Sequence, residues 1–300
     1  MLSAWLRVIR IRFLLSSVIA VSVGLVINWW QTNQVDFLHS ALTFGGVLAL
    51  HASVDLLNDY WDFKRGIDLQ TQRTKISGGT GVLPEGLLEP SQVYKAGILS
   101  LVLGSLIGSY FIIIDGVIIA ILLAFAVLSI YFYSTKIVDS GLAEFFVAVK
   151  GIVIVLGTYF IQSSQITPTS IMGGIVIGVL SSLVLFITSF PDHDADKAKG
   201  RRTLVILLGR KKATNVYWAF PAICYVMIGA GVAFEIFPTF CLIVFLTLPI
   251  LLKGGKSLKH SFDDIQKLLP IMNYTLLYSR LTGLLFVLSF IFSGLYKLPQ

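Results

Sequence analysis

The sequence has 300 residues, of which 56% are hydrophobic and only 13% are charged, and its formal net charge is +7. Soluble globular chains average about 25% charged residues, so this composition excludes an ordinary soluble protein. Apolar stretches of about 17 to 25 residues, long enough to cross a bilayer, recur along the whole chain. Because no soluble domain fits between them, we predict one transmembrane domain over residues 1–300.

Windows of about 19 residues predict nine transmembrane helices. Apolar runs of this length without period-two alternation exclude a barrel, so the predicted fold is all-α. The first run has no small-residue cleavage site after it, and we predict a helix there rather than a signal peptide. In chain order the predicted helices are 11–28, 38–57, 93–114, 117–134, 142–161, 169–190, 213–234, 236–252 and 275–296, with cap loops at about 58–92, 134–141, 191–212 and 253–274.

Basic side chains fall on alternate connections between these helices. The N-terminus and the second, fourth, sixth and eighth connections carry Lys and Arg, whereas the other connections carry none. Cytoplasmic loops are enriched in Lys and Arg, so we predict a multi-pass protein of the cell membrane with a cytoplasmic N-terminus. This topology, with anionic lipid headgroups as partners, explains the net charge without any nucleic acid.

The first of two acidic clusters, NDYWDFKRGID at 58–68, follows the second predicted helix. Asn58 and Asp62 are four residues apart and therefore share one face of a helix. The same stripe extends inward to Asp55 and His51. Ionisable side chains inside a membrane are costly and usually functional, so this stripe predicts a site rather than a solvated helix end.

The second acidic cluster, DHDAD at 192–196, follows the sixth predicted helix, and Asp192 and Asp196 again share a face. Either cluster alone also fits a solvated helix end. However, the sidedness obtained from Lys and Arg alone brings both clusters to the cytoplasmic face. We therefore predict one site that opens to the cytoplasm.

The residue types in these clusters point to a particular ligand. Carboxylate and carboxamide oxygens suit Mg2+ rather than zinc, and Mg2+ takes few protein ligands together with water and phosphate oxygens. Basic residues flank both clusters, which fits a diphosphate whose charge is shared between metal and protein. These flanking residues are Lys64, Arg65, Lys197, Arg201 and Arg202.

The same segments resemble a known family. NDYWDFKRGID resembles the first aspartate-rich motif of UbiA-type intramembrane prenyltransferases, and DHDADKAKGRRTLVILLGR resembles their second. The stretch YSTKIVDSGLAEFFVAVKGIVIVLGTYFIQ resembles the family's Tyr-Ser and Gly-Thr-Tyr region, so the likeness covers most of the chain. The resemblance implies nine helices around a central cavity that binds Mg2+ and an isoprenyl diphosphate, of geranylgeranyl, farnesyl or longer chain.

The resemblance also implies roles for individual residues. Asn58 and Asp62 are implied to bind one magnesium ion, with Asp59 assisting, and Asp192 and Asp196 to bind the other. The implied reaction is ionisation of an allylic diphosphate followed by attack of an electron-rich acceptor carbon on the carbocation. The catalytic candidates are Asp59, Asp68 and Lys150, and the candidates for substrate binding are Arg12, Lys64, Tyr131, Lys136, Lys197 and Arg201.

Several of these candidates have a second interpretation. Arg12 and Lys136 also fit positive-inside anchoring of the helix ends. Lys150 lies midway through a predicted helix, where it either faces a cavity or pairs with Glu144.

The acceptor depends on finer features of the first motif. Gly66 stands where many members have a third Asp, and Asp68 follows two residues later. This spacing and the following GGTGVLPEGLLEP resemble the menaquinone branch, which prenylates 1,4-dihydroxy-2-naphthoate. Asp55 stands where that branch is expected to have Asn, so other acceptors stay open. These are a geranylgeranylglyceryl phosphate lipid, a hydroxybenzoate or a tetrapyrrole.

Two other classes of membrane protein share some of these features. An ion-coupled transporter is expected to have its ligands near the bilayer midplane at broken helices, whereas most ligands here gather beside basic loops. A CDP-alcohol phosphotransferase also uses Asp-bound metal, but its DG-xx-AR signature is absent from this sequence.

Overall fold

The computed structural model describes residues 1–74 and 76–296. Within this part of the chain nine helices are long and apolar enough to cross a membrane, so the predicted all-α fold is confirmed. The nine helices are α1 Ile11–Thr32, α2 Phe37–Lys64, α3 Pro90–Asp115, α4 Val117–Ser140, α5 Ala143–Ser163, α6 Pro168–Ala198, α7 Arg210–Ala233, α8 Thr239–Ser261 and α9 Ile265–Tyr296.

Several helices run further than the hydropathy windows predict, among them α4 to Ser140, α8 to Ser261 and α9 from Ile265, so most of the predicted cap loops at 134–141 and 253–274 is helical. The extensions of α2 and α6 bear on the site. α2 continues to Lys64 rather than ending at 57, and α6 continues to Ala198 rather than ending at 190. Asn58, Asp59 and Asp62 of the first motif and all of the second motif therefore lie in the last turns of continuous helices, in segments that the windows placed in cap loops. Hydropathy falls where polar residues begin, but a helix ends only where its backbone bonding stops.

The same backbone turn ends both helices. Gly66 after α2 and Gly200 after α6 have φ of 69° and 83°, a left-handed conformation that glycine adopts without steric cost. The N–H of Ile67 donates to the carbonyl of Asp62 at 2.9 Å, and the N–H of Arg201 donates to that of Asp196 at 3.0 Å. These are Schellman turns, and they give Asp62 and Asp196 equivalent positions three residues before each helix cap.

Small residues bring α5 and α6 into backbone contact. A Cβ atom added to Gly151 would lie 2.6 Å from the Cα of Gly178, so no larger residue fits there without a shift. Close approach through glycine is a common way to pack helices in a membrane, where apolar burial alone drives little association. The contact lies one residue from Lys150, and α6 continues from it to the second acidic motif.

α4 changes its winding near the site. Residues Tyr133–Ile137 form one wider π-helical turn within α4, and turns of this kind are frequent at functional sites. Tyr131 and Tyr133 are two residues apart, which is about 200° around a helix, so they face opposite sides. Tyr133 lines the interior of the bundle, whereas Tyr131 is 44% exposed on its outside.

Candidate active site

A cavity of about 300 Å3 lies among α1, α2, α4, α5, α6 and α9. Its outer end is formed by the C-terminal turns of α2 and α6, and its inner end lies deeper among the helices. The sequence-predicted site residues that line it are Arg12, Asn58, Asp62, Lys150, Asp192, Asp196 and Arg201. Arg10, His51, Asp55 and Tyr133 also line it.

A second cavity, of about 740 Å3, lies at the opposite ends of the helices, around Trp29 and the α1–α2 connection. Among the residues that the structure describes, Asp36 is the one charged residue in its lining, and no Lys or Arg of that part of the chain lines it. Because a diphosphate needs cations around it, the cavity lined by Asp62, Asp196 and Arg201 is the better candidate for an active site.

Arg201 joins the two acidic motifs. Its Nη1 donates to Asp196 Oδ1 at 3.1 Å, and its Nη2 donates to Asp62 Oδ1. Arg201 is 9% exposed, and both carboxylates are buried as well. Burial disfavours the charged guanidinium, but Asp62 and Asp196 outweigh it and raise the pKa of Arg201. Two carboxylates from α2 and α6 thus share one buried cation.

The other two ligand candidates, Asp192 and Asn58, are held by fewer or longer contacts. Asp192 accepts the N–H of Gly78 through Oδ2 at 3.2 Å, while its Oδ1 is buried without a hydrogen-bond partner among the described residues. Asn58 donates from Nδ2 to Ser134 Oγ at 2.9 Å, and its Oδ1 accepts a long contact of 3.4 Å from Arg10. A buried carboxylate oxygen without a partner is costly unless a cation lies nearby.

These donors fit magnesium. Asn58, Asp62, Asp192 and Asp196 offer only hard oxygen ligands. Within residues 1–74 and 76–296 no three His, Cys, Asp or Glu side chains converge on one point. Mg2+ needs no such cage, because it is usually held by one or two carboxylates and completes its shell with water and phosphate oxygens.

The cap segment, residues 65–74 and 76–89 between α2 and α3, is bonded to both motifs. Asp59 is fully buried, and its two oxygens accept from the N–H and the hydroxyl of Thr80 at 3.1 and 2.7 Å. Gly78 donates to Asp192, as described above. Asp59 therefore positions the cap segment, and it does not line the cavity.

A cluster of charges fastens the cap segment to the N-terminus. Arg7 donates to both oxygens of Glu85 at 2.8 Å and to the carbonyl of Thr80 at 2.6 Å, and Arg73 lies 2.6 Å from the same carboxylate. The hydrogen bond from Arg7 holds the pKa of Glu85 at about 2. The cap segment thus keeps this ion pair over the whole physiological pH range.

Arg10 is a cavity residue that the sequence did not reveal, because the membrane topology alone accounts for a basic N-terminus. It precedes α1 with φ of 51°, an uncommon left-handed conformation for arginine. Its Nη2 lies 3.5 Å from Asp59 Oδ1, and its side chain lines the cavity. Burial lowers the pKa of Arg10, but the nearby carboxylates of Asp55 and Asp59 raise it by more than burial lowers it, so Arg10 stays charged.

Four candidates for substrate binding do not reach the cavity. Lys64, Lys136 and Lys197 are exposed at the helix ends, and Tyr131 faces outward from α4. The Nζ of Lys64 lies 5.9 Å from the ring centroid of Tyr60. Contact of any of these side chains with a substrate stays a prediction.

Lys150 faces the cavity. Its alternative partner, Glu144, instead accepts the backbone N–H of Leu204 through Oε1 at 3.0 Å. In the described part of the chain no carboxylate lies within ion-pair distance of Lys150. The structure therefore offers no pairing with Glu144 in place of a role in the cavity.

Asp68 lies beside the cavity rather than on its wall, and its Oδ2 is buried without a hydrogen-bond partner among the described residues. Burial, followed by the charges of Asp62 and Asp59, raises the pKa of Asp68 to about 8. A carboxyl group that is protonated when folded but ionised when unfolded costs stability as the pH rises.

We expect this cost to appear in Mg2+-free buffer between pH 4 and 8. The free energy of unfolding falls by at most about 1.4 kcal/mol per pH unit in that window and levels off above it. Asp68→Asn removes the ionisable group, so its melting temperature gains on the wild type as the pH rises. Thermal melts from pH 5 to 9 test this, with the exposed Asp263→Asn as control. Parallel curves for Asp68→Asn and wild type would contradict the prediction.

Comparisons with known proteins show the family to which the chain is similar. The model of the UbiA prenyltransferase family matches residues 17–277. The chain is 27% identical to 1,4-dihydroxy-2-naphthoate octaprenyltransferase of Escherichia coli (strain K12), covering 97% of this chain and 96% of that protein. It is also 27% identical to the protein of that name in Bacillus subtilis (strain 168), covering 79% and 76%.

A solved structure has the same fold. The structure of a UbiA homolog from Archaeoglobus fulgidus bound to GPP and Mg2+ superposes with a TM-score of 0.68 at 15% identity, covering 98% of this chain and 99% of that chain. At this identity the likeness concerns the fold alone.

Proposed function

Because this chain belongs to the UbiA prenyltransferase family and is a multi-pass membrane prenyltransferase, we propose that it transfers an isoprenyl chain from an allylic diphosphate to a small aromatic acceptor with Mg2+. The observation that carries the proposal is Arg201, which joins Asp62 to Asp196 at the outer end of an otherwise largely apolar cavity. Family membership leaves neither a transporter nor a CDP-alcohol phosphotransferase as an alternative.

The outer end of the cavity would hold the diphosphate. Asn58 and Asp62 on α2, with Asp192 and Asp196 on α6, would hold Mg2+, and their oxygen donors suit it. When bound, Mg2+ supplies positive charge that stabilises the departing diphosphate. Cationic side chains of the same end would donate to the diphosphate oxygens, which makes the leaving group less basic. These side chains are Arg10, Arg12 and Arg201.

The apolar wall protects the carbocation that this ionisation leaves. Phe125, Phe146, Val147 and Ile154 line the cavity below the charged end and offer no nucleophile. Aromatic faces stabilise a nearby cation, and exclusion of water prevents water from adding to it to give the prenyl alcohol. The prenyl cation would therefore persist until the acceptor carbon attacks it.

For the acceptor we favour 1,4-dihydroxy-2-naphthoate, a quinone precursor. The support comes from the relatives of that name, which match most of this chain. A solved structure of digeranylgeranylglyceryl phosphate synthase is only 18% identical, so its likeness supports the fold and not its lipid acceptor. We also place the chain as one domain in the cell membrane with the outer end of the cavity toward the cytoplasm, as the Lys and Arg pattern predicts.

The proposal is tested by turnover of the purified protein in lipid nanodiscs. We expect Mg2+ and labelled geranylgeranyl or farnesyl diphosphate to give a prenylated product with 1,4-dihydroxy-2-naphthoate, and none in the presence of EDTA. Parallel reactions with a hydroxybenzoate and with geranylgeranylglyceryl phosphate identify the acceptor class. Absence of product from every acceptor, in protein whose melting curve shows a folded state, would refute the proposal.

A further inference from the structure

A second group of polar side chains lies at the inner end of the cavity. It consists of Ser17 on α1, His51 and Asp55 on α2, and Lys150 on α5. The hydroxyl of Ser17 lies 2.6 Å from His51 Nδ1, and His51 Nε2 lies 3.7 Å from Asp55 Oδ2. Three helices thus contribute to this inner group, which the diphosphate chemistry of the outer end does not use.

The inner group is too deep to serve the same diphosphate. His51 lies seven residues before Asn58 on α2, so it is about 10 Å further from the outer end. Lys150 lies seven residues after the start of α5, at a depth that is also about 10 Å. A diphosphate bridged by metal to Asn58 and held by Arg201 does not extend that far. The inner group therefore needs another ligand.

The free atoms of the inner group define the chemistry of that ligand. Asp55 Oδ2 is buried and has no hydrogen-bond partner in residues 1–74 and 76–296, and Lys150 has no carboxylate within ion-pair distance there. Such groups are costly inside a membrane protein unless they bind something. The contact of Asp55 Oδ2 with His51 Nε2, at 3.7 Å, is too long for a hydrogen bond. This acceptor and the unpaired cation of Lys150 together match a ligand that carries both a hydroxyl donor and an anionic group.

Two parallel aromatic rings form part of the cavity wall. The rings of Phe125 and Phe146 lie nearly parallel, 7° apart in angle with centroids 5.9 Å apart, and both line the cavity. Flat aromatic walls favour a planar ligand by stacking. A phosphate on a flexible ether lipid would satisfy Lys150 but would leave Asp55 Oδ2 without a donor.

The geometry points to a subsite for a hydroxylated aromatic carboxylate, in which Lys150 pairs with the carboxylate and Asp55 Oδ2 accepts from the ring hydroxyl. This inference rests on the proposed function and adds to it the residues that select the acceptor. Accepting a hydrogen bond from the hydroxyl increases electron density in the ring, which favours attack on a carbocation. Lys150 is then a specificity residue for the acceptor, and Asp55 is a positioning and activating one.

Binding without turnover tests the subsite. The probes are 1-hydroxy-2-naphthoate and 1-naphthol, which differ by the carboxylate, and their affinities are measured by fluorescence in nanodiscs. We expect wild type to bind the naphthoate about tenfold or more tightly than naphthol, since a charge-assisted hydrogen bond contributes that much. Lys150→Met abolishes this preference, Lys150→Arg keeps part of it, and the exposed Lys212→Met behaves as wild type. Asp55→Asn lowers the affinity for both probes by the same factor.

Geranyl diphosphate binding with Mg2+ on the same preparations separates this inference from the proposed function. We expect wild type and Lys150→Met to bind it equally. If wild type does not bind geranyl diphosphate, the proposed function fails. If wild type binds it but the Lys150→Met variant keeps the full carboxylate preference, or loses geranyl diphosphate affinity instead, the acceptor subsite is wrong and the proposed function stands.

Discussion

Replacing Asp62 with asparagine is expected to lower kcat/KM for prenyl transfer about a thousandfold, a loss of about 4 kcal/mol of transition-state stabilisation. Asp62 offers one oxygen to Arg201 and lies on the cavity wall, so its negative charge is available to a magnesium ion. Asparagine keeps the size and the acceptor oxygen but removes that charge. The Mg2+ concentration for half-maximal rate should therefore rise as the rate falls.

The fold is expected to survive this change, because Arg201 retains Asp196 as a partner. Asp263→Asn serves as the matched control: it removes the same charge from a side chain that is 68% exposed and lies outside the cavity. Steady-state rates over a Mg2+ titration, together with melting curves, make the comparison. If the Asp62→Asn variant kept the wild-type rate and the wild-type Mg2+ dependence, Asp62 would not be a metal ligand.

Arg201→Met is expected to have the second-largest effect, and its signature is a stability that depends on Mg2+. The buried guanidinium offsets the repulsion between Asp62 and Asp196, and removal of one partner from a buried ion pair costs about 3 to 5 kcal/mol. In EDTA the variant should therefore melt well below wild type. Added Mg2+ provides another cation for the same carboxylates, so it should raise the melting temperature of the variant more than that of wild type.

Activity of the same variant should fall about a hundredfold at saturating Mg2+, because one donor to the diphosphate is lost. Arg210→Met is the control, since Arg210 pairs with Asp194 and Asp263 on the surface and does not line the cavity. Equal melting shifts with Mg2+ in Arg201→Met and wild type would show that Arg201 does not substitute for metal charge.

Much of the outer end of the cavity could be predicted from local spacing. Asp62 and Gly66 are four residues apart, as are Asp196 and Gly200, and both glycines end their helices in the same way. Gly66 is a departure from the family's third Asp, but its structural role is to end α2. Hydropathy could not find these ends, because it registers the loss of apolar side chains and not the conformation of the backbone.

Other parts of the site could not be predicted because they depend on contacts between distant segments. The hydrogen bonds between Asp59 and Thr80 require the path of the cap segment, and nothing in the spacing of the first motif distinguishes Asp59 from a metal ligand. Which of Tyr131 and Tyr133 faces the cavity depends on how α4 is rotated about its axis where the π-helical turn begins. Arg10 lines the cavity from a position just before α1, where its backbone is left-handed, and the sequence does not reveal that conformation.

The backbone contact between Gly151 and Gly178 has a consequence for the reaction. It holds the backbones of α5 and α6 together one residue from Lys150, on the pair of helices that also carries Asp192. Packing between these two helices therefore contributes to the spacing between the inner and outer ends of the cavity. Reacting atoms must come within about 3 to 3.5 Å of each other. The close contact of the two glycines helps to hold the bound substrates at that distance.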